Sequence, residues 1–335
     1  MHFDTNGRST DNFDCIVIGF GRHGQAVLKS LVMNGQFAGS SFHAAVFSPN
    51  VSNESGYLEI DSPELLRAYD IERYAADARS TTFFEYISKR LSSLKMIVIC
   101  TGDPAVNGEI SDSLMLFLKR HHAEQTCVVQ CDETGVRYQE TVAAPIVRTS
   151  IYTRALLSAE EADRMAILLN GTYDDTYRSE WEKWVSCDSF SKMSSRASGD
   201  FMPAFIRASG ADMETLLQGT WQPDAVMQQT LGETEHLRWC AFHYAMGYTP
   251  MSTEEFDTNA AEYARCMREG IPCNIKIGKN TYGRRHVCLM PWEDLDELSE
   301  REKRMTGRNV DYKQIDINNV LAMPRLLRAE QKKGE

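Results

Sequence analysis

Three glycines stand in the run Gly19-Phe20-Gly21-Arg22-His23-Gly24. A short apolar stretch, residues 15–18, precedes it, and Val27, Leu28, Leu31 and Val32 follow at helical spacing. A stretch apolar throughout suits a strand buried on both faces of a parallel sheet. In such a strand–turn–helix, Gly19 permits the tight turn, Gly21 lets backbone approach a phosphate, and Gly24 lets the helix pack closely on the strand. The start of the helix then offers unpaired N–H groups and a positive dipole end to a pyrophosphate. The predicted chemistry is nucleotide binding, with an adenine nucleotide or NAD(P)(H) as the small-molecule ligand. The competing reading is a Rossmann domain whose site is vestigial.

Three further turns extend this candidate site. Ser48 ends a second strand where an NAD-specific site usually carries an acid for the ribose 2′-hydroxyl. Ser48 supplies no charge there, although Ser48 or Asn50 can still hydrogen-bond a ribose. The steps Asp77-Ala78 and Thr101-Gly102-Asp103 follow the third and fourth strands.

A second cluster lies near the C-terminus: His236, Arg238, Trp239, His243, His286 and Trp292. His236 and His243 are seven residues apart and share a helical face, and the tryptophans offer flat surfaces for a purine. The cluster reads as a ligand pocket or as packed core. It is read as metal-free, because no acid or cysteine has ligand spacing with these histidines. With no nucleophile elbow, H-E-x-x-H helix or P-loop, no catalytic residue is assigned, and the chain reads as a binding protein rather than an enzyme.

The elements that must position these residues are five strands, residues 15–18, 42–47, 70–74, 95–100 and 127–131, alternating with helices. That alternation predicts an α/β fold with a doubly wound parallel Rossmann sheet, whose ligands bind at the strand carboxyl ends. Residues 51–61 read as a polar excursion. Three units are expected: a nucleotide-binding domain over 12–150, a helical connector over 151–228, and a smaller, mainly α domain over 229–328. Within the connector, Ser158 and Glu161 form a capping box, and residues 191–198 read as a solvated connector or a ligand-facing turn. Residues 328–335 read as a frayed tail.

With 335 residues the chain is long enough for two domains, and its net charge of −11, without a run of Lys and Arg, argues against a nucleic-acid partner. Nine scattered cysteines without a C-x-x-C pair read as reduced core residues. A polar N-terminus and the lack of an apolar run of membrane-spanning length predict a cytoplasmic protein with no membrane insertion.

The turn from Gly19 to Gln25 resembles the Trk-type and glutathione-gated potassium-efflux regulatory domains, the TrkA-N or RCK family. That resemblance covers about residues 12–150. It places Arg22 beside the nucleotide phosphates and Asp77-Ala78 and Thr101-Gly102-Asp103 at the third and fourth strand ends. Ser48 departs from the family, which commonly has an acid there. Residues 228–328 resemble the ryanodine-receptor (RyR) repeat through Leu231, Glu235, His236, Arg238, Trp239, Gly247 and Tyr248, then His286, Leu289, Pro291, Trp292 and Leu295. The stretch 251–283 fits the repeat less well. Together the resemblances imply a homodimeric ligand sensor that responds to a nucleotide-derived second messenger, works in antiphage defence or ion-channel regulation, and has an effector or channel protein as partner. The alternative is an NAD(P)-dependent oxidoreductase with residues 151–330 as substrate domain, and a scaffold with a vestigial core is a third reading.

Overall fold

The computed structural model describes residues 1–132, 146–150, 163–172 and 178–334. Six strands form one sheet: β1 (Phe13–Ile18), β2 (Phe42–Phe47), β3 (Asp70–Tyr74), β4 (Leu94–Ile99), β5 (Cys127–Asp132) and β6 (Ile146–Ser150). Their order is β3-β2-β1-β4-β5-β6 and every pairing is parallel, the doubly wound Rossmann arrangement expected. Strand β6 adds one to the five expected. Its residues Ile146-Val147-Arg148-Thr149-Ser150 carry too short an apolar run to announce a strand by pattern. The capping box at Ser158 and Glu161 lies outside the described residues.

Side chains alternate across β1, so Cys15 and Val17 enter one core while Ile16 and Ile18 enter the other. Helix α1 (Arg22–Asn34) covers the first face with Leu28, Leu31 and Val32. The supposed polar excursion folds as two short helices, α2 (Val51–Glu54) and α3 (Gly56–Asp61), followed by α4 (Pro63–Ala68). Helices α5 (Thr81–Ser88) and α6 (Pro104–Arg120) cover the second face.

The rest is mainly helical: α7 (Arg164–Gly171), α8 (Glu180–Ser186), α9 (Ser189–Ser209), α10 (Met213–Gln218), α11 (Ala225–Ala245), α12 (Thr253–Glu269), α13 (Leu295–Thr306), α14 (Tyr312–Leu321) and α15 (Met323–Gly334). Three two-residue strands, β7 (Thr249–Pro250), β8 (Lys279–Asn280) and β9 (Arg285–His286), make a small sheet. Two expectations change here. Residues 191–198 are neither loop nor turn but the first half of α9, which Asp188 caps by accepting from the Ser191 N–H at 2.8 Å. Residues 328–334 continue helix α15, whose Leu326 and Leu327 pack in a core shared with Leu168 and Phe201.

Helix α11 joins the regions. Its Ala241 and Ala245 belong to the same core as Leu28 and Val32 of α1, while its other side packs on α9 and α14. The Ser62 hydroxyl donates to the Ala245 carbonyl at 2.9 Å, and the Ala38 N–H donates to Thr234 Oγ1 at 3.1 Å. The boundary expected at 228/229 therefore falls inside a helix that packs directly on α1 of the parallel-sheet domain.

Candidate functional site

At the carboxyl ends of the strands, the three glycines of the β1–α1 turn meet three different surroundings. Gly19 has φ +89°, and a Cβ there would lie 2.6 Å from the Cys100 carbonyl oxygen. At Gly24 a Cβ would lie 2.0 Å from the Gly19 carbonyl oxygen, so helix and turn touch backbone to backbone. A Cβ on Gly21 would meet nothing within 4 Å. The N-cap of α1 is Gly21, which has no side chain to cap the helix.

The neighbouring turns are tied to this one. The Gly19 N–H donates to the Phe47 carbonyl at 2.8 Å, and the Gln25 amide bridges the carbonyls of Phe20 and Glu54 at 3.2 and 2.7 Å. Ser48 is buried and its hydroxyl donates to Glu54 Oε2 at 2.7 Å. A carboxylate therefore does stand at the end of β2, six residues later in sequence than the sheet pattern indicates. The sequence alone shows no signal for it, since Glu54 reaches this place only because α2 folds back.

Asp77, at the exit of β3, takes three hydrogen bonds from Arg79, whose guanidinium holds the carboxyl below its usual range. After β4, Gly102 has φ +86° and open space at its Cβ position. Thr101 donates through N–H and hydroxyl to Asn107 Oδ1 at 3.0 and 2.6 Å, and Asn107 Nδ2 reaches the Cys131 carbonyl at 2.9 Å, locking β4 to β5. Asn107 too was not singled out by the sequence.

Among the residues named for this site, Gly19, Gly21, Arg22, His23, Gly24, Ser48, Asp77, Thr101 and Gly102 come together along the strand ends. Phe20 and Ala78 are buried in the two cores, so only their backbones can face a ligand. Asp103 spends its carboxylate capping α6, accepting from the Ala105 and Val106 N–H groups.

A second site opens on the far side of α11. A cavity of about 340 Å³ is walled by Glu235, His236, Arg238 and Trp239 of α11 and by Tyr312, Asp316 and Asn319 of α14. Helix α9 adds Ser194 and Ser198, and His286 closes it from β9. The Arg238 and Glu235 side chains are both 2 % exposed and meet in a bidentate pair, with Nε–Oε2 at 2.6 Å and Nη2–Oε1 at 2.9 Å. Burial raises the Glu235 carboxyl, while Arg238 works in the opposite direction, and the fork geometry is that of an ionised pair.

His236 Nδ1 faces Asp316 Oδ2 at 3.1 Å and Nε2 faces the Met290 carbonyl at 2.9 Å. A carbonyl only accepts, and a carboxylate accepts, so both ring nitrogens carry protons and His236 is an imidazolium. Burial opposes that charge, but Cys240 and Asp316 more than offset it and push the pKa up to about 11. His286 is the reverse case. Its Nδ1 accepts from the Cys288 N–H at 3.2 Å, and burial, aided by Lys279 and His236, brings its pKa down to about 3.

Two residues expected in this pocket do not line it. His243 donates from Nδ1 to the Trp239 carbonyl at 3.0 Å and packs among Phe190, Trp239, Phe242 and Tyr248. Trp292 packs against His236 and the Gly232 backbone. Conversely, Ser194, Ser198 and Asn319 line the cavity without having been singled out. All nine cysteines are free thiols. Among the described residues no group of three His, Cys, Asp or Glu side chains could hold a metal ion, and no helix is long and apolar enough to cross a membrane.

No family model, no curated protein and no solved structure matches the chain.

Proposed function

We propose that this chain is a nucleotide-sensing regulatory protein: the β1–α1 turn binds the phosphates of an adenine nucleotide or NAD(H), and the cavity beyond α11 binds a second ligand. The contrast among the three glycines carries this reading. Gly19 and Gly24 lack a side chain because protein backbone occupies the space, whereas Gly21 lacks one where no protein atom stands. Open space in front of a helix start suits a phosphate. The Glu54 carboxylate beside Ser48 favours a ribose with a free 2′-hydroxyl over one bearing a 2′-phosphate. Helix α11, packed between α1 and the cavity, gives each ligand a physical route to bias the affinity of the other. The resemblance to RCK and RyR domains agrees with this division of labour.

The test is mass spectrometry of small molecules released from the heat-denatured protein, followed by thermal-shift titration with the compounds found. A bound nucleotide at a hundred times its Kd adds about 2.7 kcal/mol of stability. Gly21→Val should abolish that gain while leaving the melting temperature of the unliganded protein unchanged. If no adenine nucleotide stabilises the protein, or if Gly21→Val binds as tightly as the parent, the reading fails.

A further inference from the structure

We infer that the cavity between α9, α11 and α14 takes an uncharged nucleobase or nucleoside rather than a phosphate-bearing ligand. The inference rests on reading that cavity as a ligand site and narrows what can occupy it.

Volume sets the first limit. At about 340 Å³ the cavity is at the small end of the range of about 300–1,000 Å³ typical of ligand pockets. It has room for one ring system with its sugar and not for a dinucleotide.

Charge sets the second. Both cations in its wall are already neutralised, Arg238 by Glu235 and His236 by Asp316. The second nitrogen of His236 is held by the Met290 carbonyl, and His286 is neutral because its Nδ1 accepts a backbone N–H. A phosphate dianion entering here would lose its water and face two carboxylates without an uncommitted positive charge among the described lining residues.

Hydrogen-bonding capacity then points to a neutral polar guest. Ser194 and Ser198 lie one turn apart on the same face of α9, and Asn319 faces the cavity from α14. Among the described residues none of these three side chains has a hydrogen-bond partner, although Ser198 is only 7 % exposed. A hydroxyl pair and an amide that both donates and accepts match the mixed edge of a nucleobase. The partly exposed Trp239 ring, packed against the rings of His236, His243 and His286, adds apolar surface to the same wall for such a guest to lie against.

The experiment is calorimetric titration of the full chain with adenosine, guanosine, cytidine and uridine and with their 5′-monophosphates. Parent, Gly21→Val, Asn319→Leu and Ser198→Ala are compared, with circular dichroism to confirm that each variant is folded. At least one nucleoside should bind. Gly21→Val should change its affinity less than about threefold, Asn319→Leu should weaken it by about tenfold or more, and in Gly21→Val, where the strand-end phosphate site is removed, the monophosphate should bind no tighter than the nucleoside.

A monophosphate that binds more than about tenfold tighter than its nucleoside, with the same dependence on Asn319, overturns the uncharged guest but keeps the cavity as a ligand site. Nucleoside binding lost in Gly21→Val and kept in Asn319→Leu and Ser198→Ala assigns it to the strand ends and overturns the inference. Failure of every nucleoside and monophosphate to bind in a way that depends on Asn319 or Ser198 overturns it as well. The nucleotide site at Gly21 stands or falls on its own separate titration.

Discussion

The Ser48 hydroxyl donates to Glu54 Oε2 at 2.7 Å, so a buried serine holds a carboxylate at the carboxyl end of β2. The Gln25 amide, from α1, holds the backbone carbonyl of the same Glu54 at 2.7 Å. The residue that would meet a ribose is thus fixed from two elements, one of which begins at the candidate phosphate site. Ser48 positions the acid instead of replacing it.

In the proposed nucleotide site, this placement puts the Glu54 carboxylate where a ribose 2′ position would be discriminated. NAD should bind at least about tenfold more tightly than NADP, because a 2′-phosphate would be set against the Glu54 carboxylate. Glu54→Gln removes the charge and should close most of that gap, chiefly by improving NADP. Calorimetry with both dinucleotides measures it, and equal affinities in the parent protein would sink the assignment of Glu54.

The glycines of the β1–α1 turn should separate folding from binding. Gly24→Ala drives a Cβ to 2.0 Å from the Gly19 carbonyl oxygen and should cost about 1–3 kcal/mol of stability in urea denaturation. Gly21→Ala meets no protein atom and should leave stability unchanged while weakening nucleotide binding. A Gly21→Ala protein that is as destabilised as Gly24→Ala would mean the open space has been misjudged.

The parts of the structure that local pattern could reveal were those encoded within a few residues. The strand, the three glycines and the helical spacing of Leu28, Leu31 and Val32 all lie within one twenty-residue window, and the doubly wound order follows from their alternation. Glu54 and Asn107 escaped because their roles depend on chain segments that fold back from outside the motif. The serines at 194 and 198 misled for a different reason. A run of Ser, Lys and Arg looks like a loop, yet α9 buries Phe201, Met202 and Phe205 further along and carries the polar stretch with it. His243 and His236 share a helix and a seven-residue spacing, but the surrounding helices place one in an aromatic core and the other against Asp316. Spacing selects a face; packing decides what meets it.

The Arg238–Glu235 pair should reveal itself as a unit. Arg238→Met alone leaves a fully buried carboxylate and should cost about 3–5 kcal/mol in urea denaturation. Adding Glu235→Leu removes the stranded charge and should return most of that loss, giving a strongly non-additive cycle. Additive single and double variants would show that the two side chains are not coupled.

The two cavity histidines should shape the pH dependence of stability in opposite directions. His236 has a folded pKa raised from 6.5 to about 11, so its contribution is complete below pH 6.5. It is lost as pH rises from there toward 11, because the folded state then binds the extra proton, with a slope of at most about 1.4 kcal/mol per pH unit. His286, lowered from 6.5 to about 3, must stay neutral in the folded state. Its contribution is therefore complete above pH 6.5 and is lost as pH falls toward 3, where the unfolded chain takes up the proton. Stability should fall on both sides of pH 6.5, with His236→Gln flattening the alkaline limb and His286→Gln the acid limb. Urea denaturation from pH 4 to pH 9 for the parent and both variants, on the order of one titration per pH unit, reads the two slopes directly. An alkaline slope unchanged in His236→Gln would show that the imidazolium held between Asp316 and Met290 is not what the folded state protects.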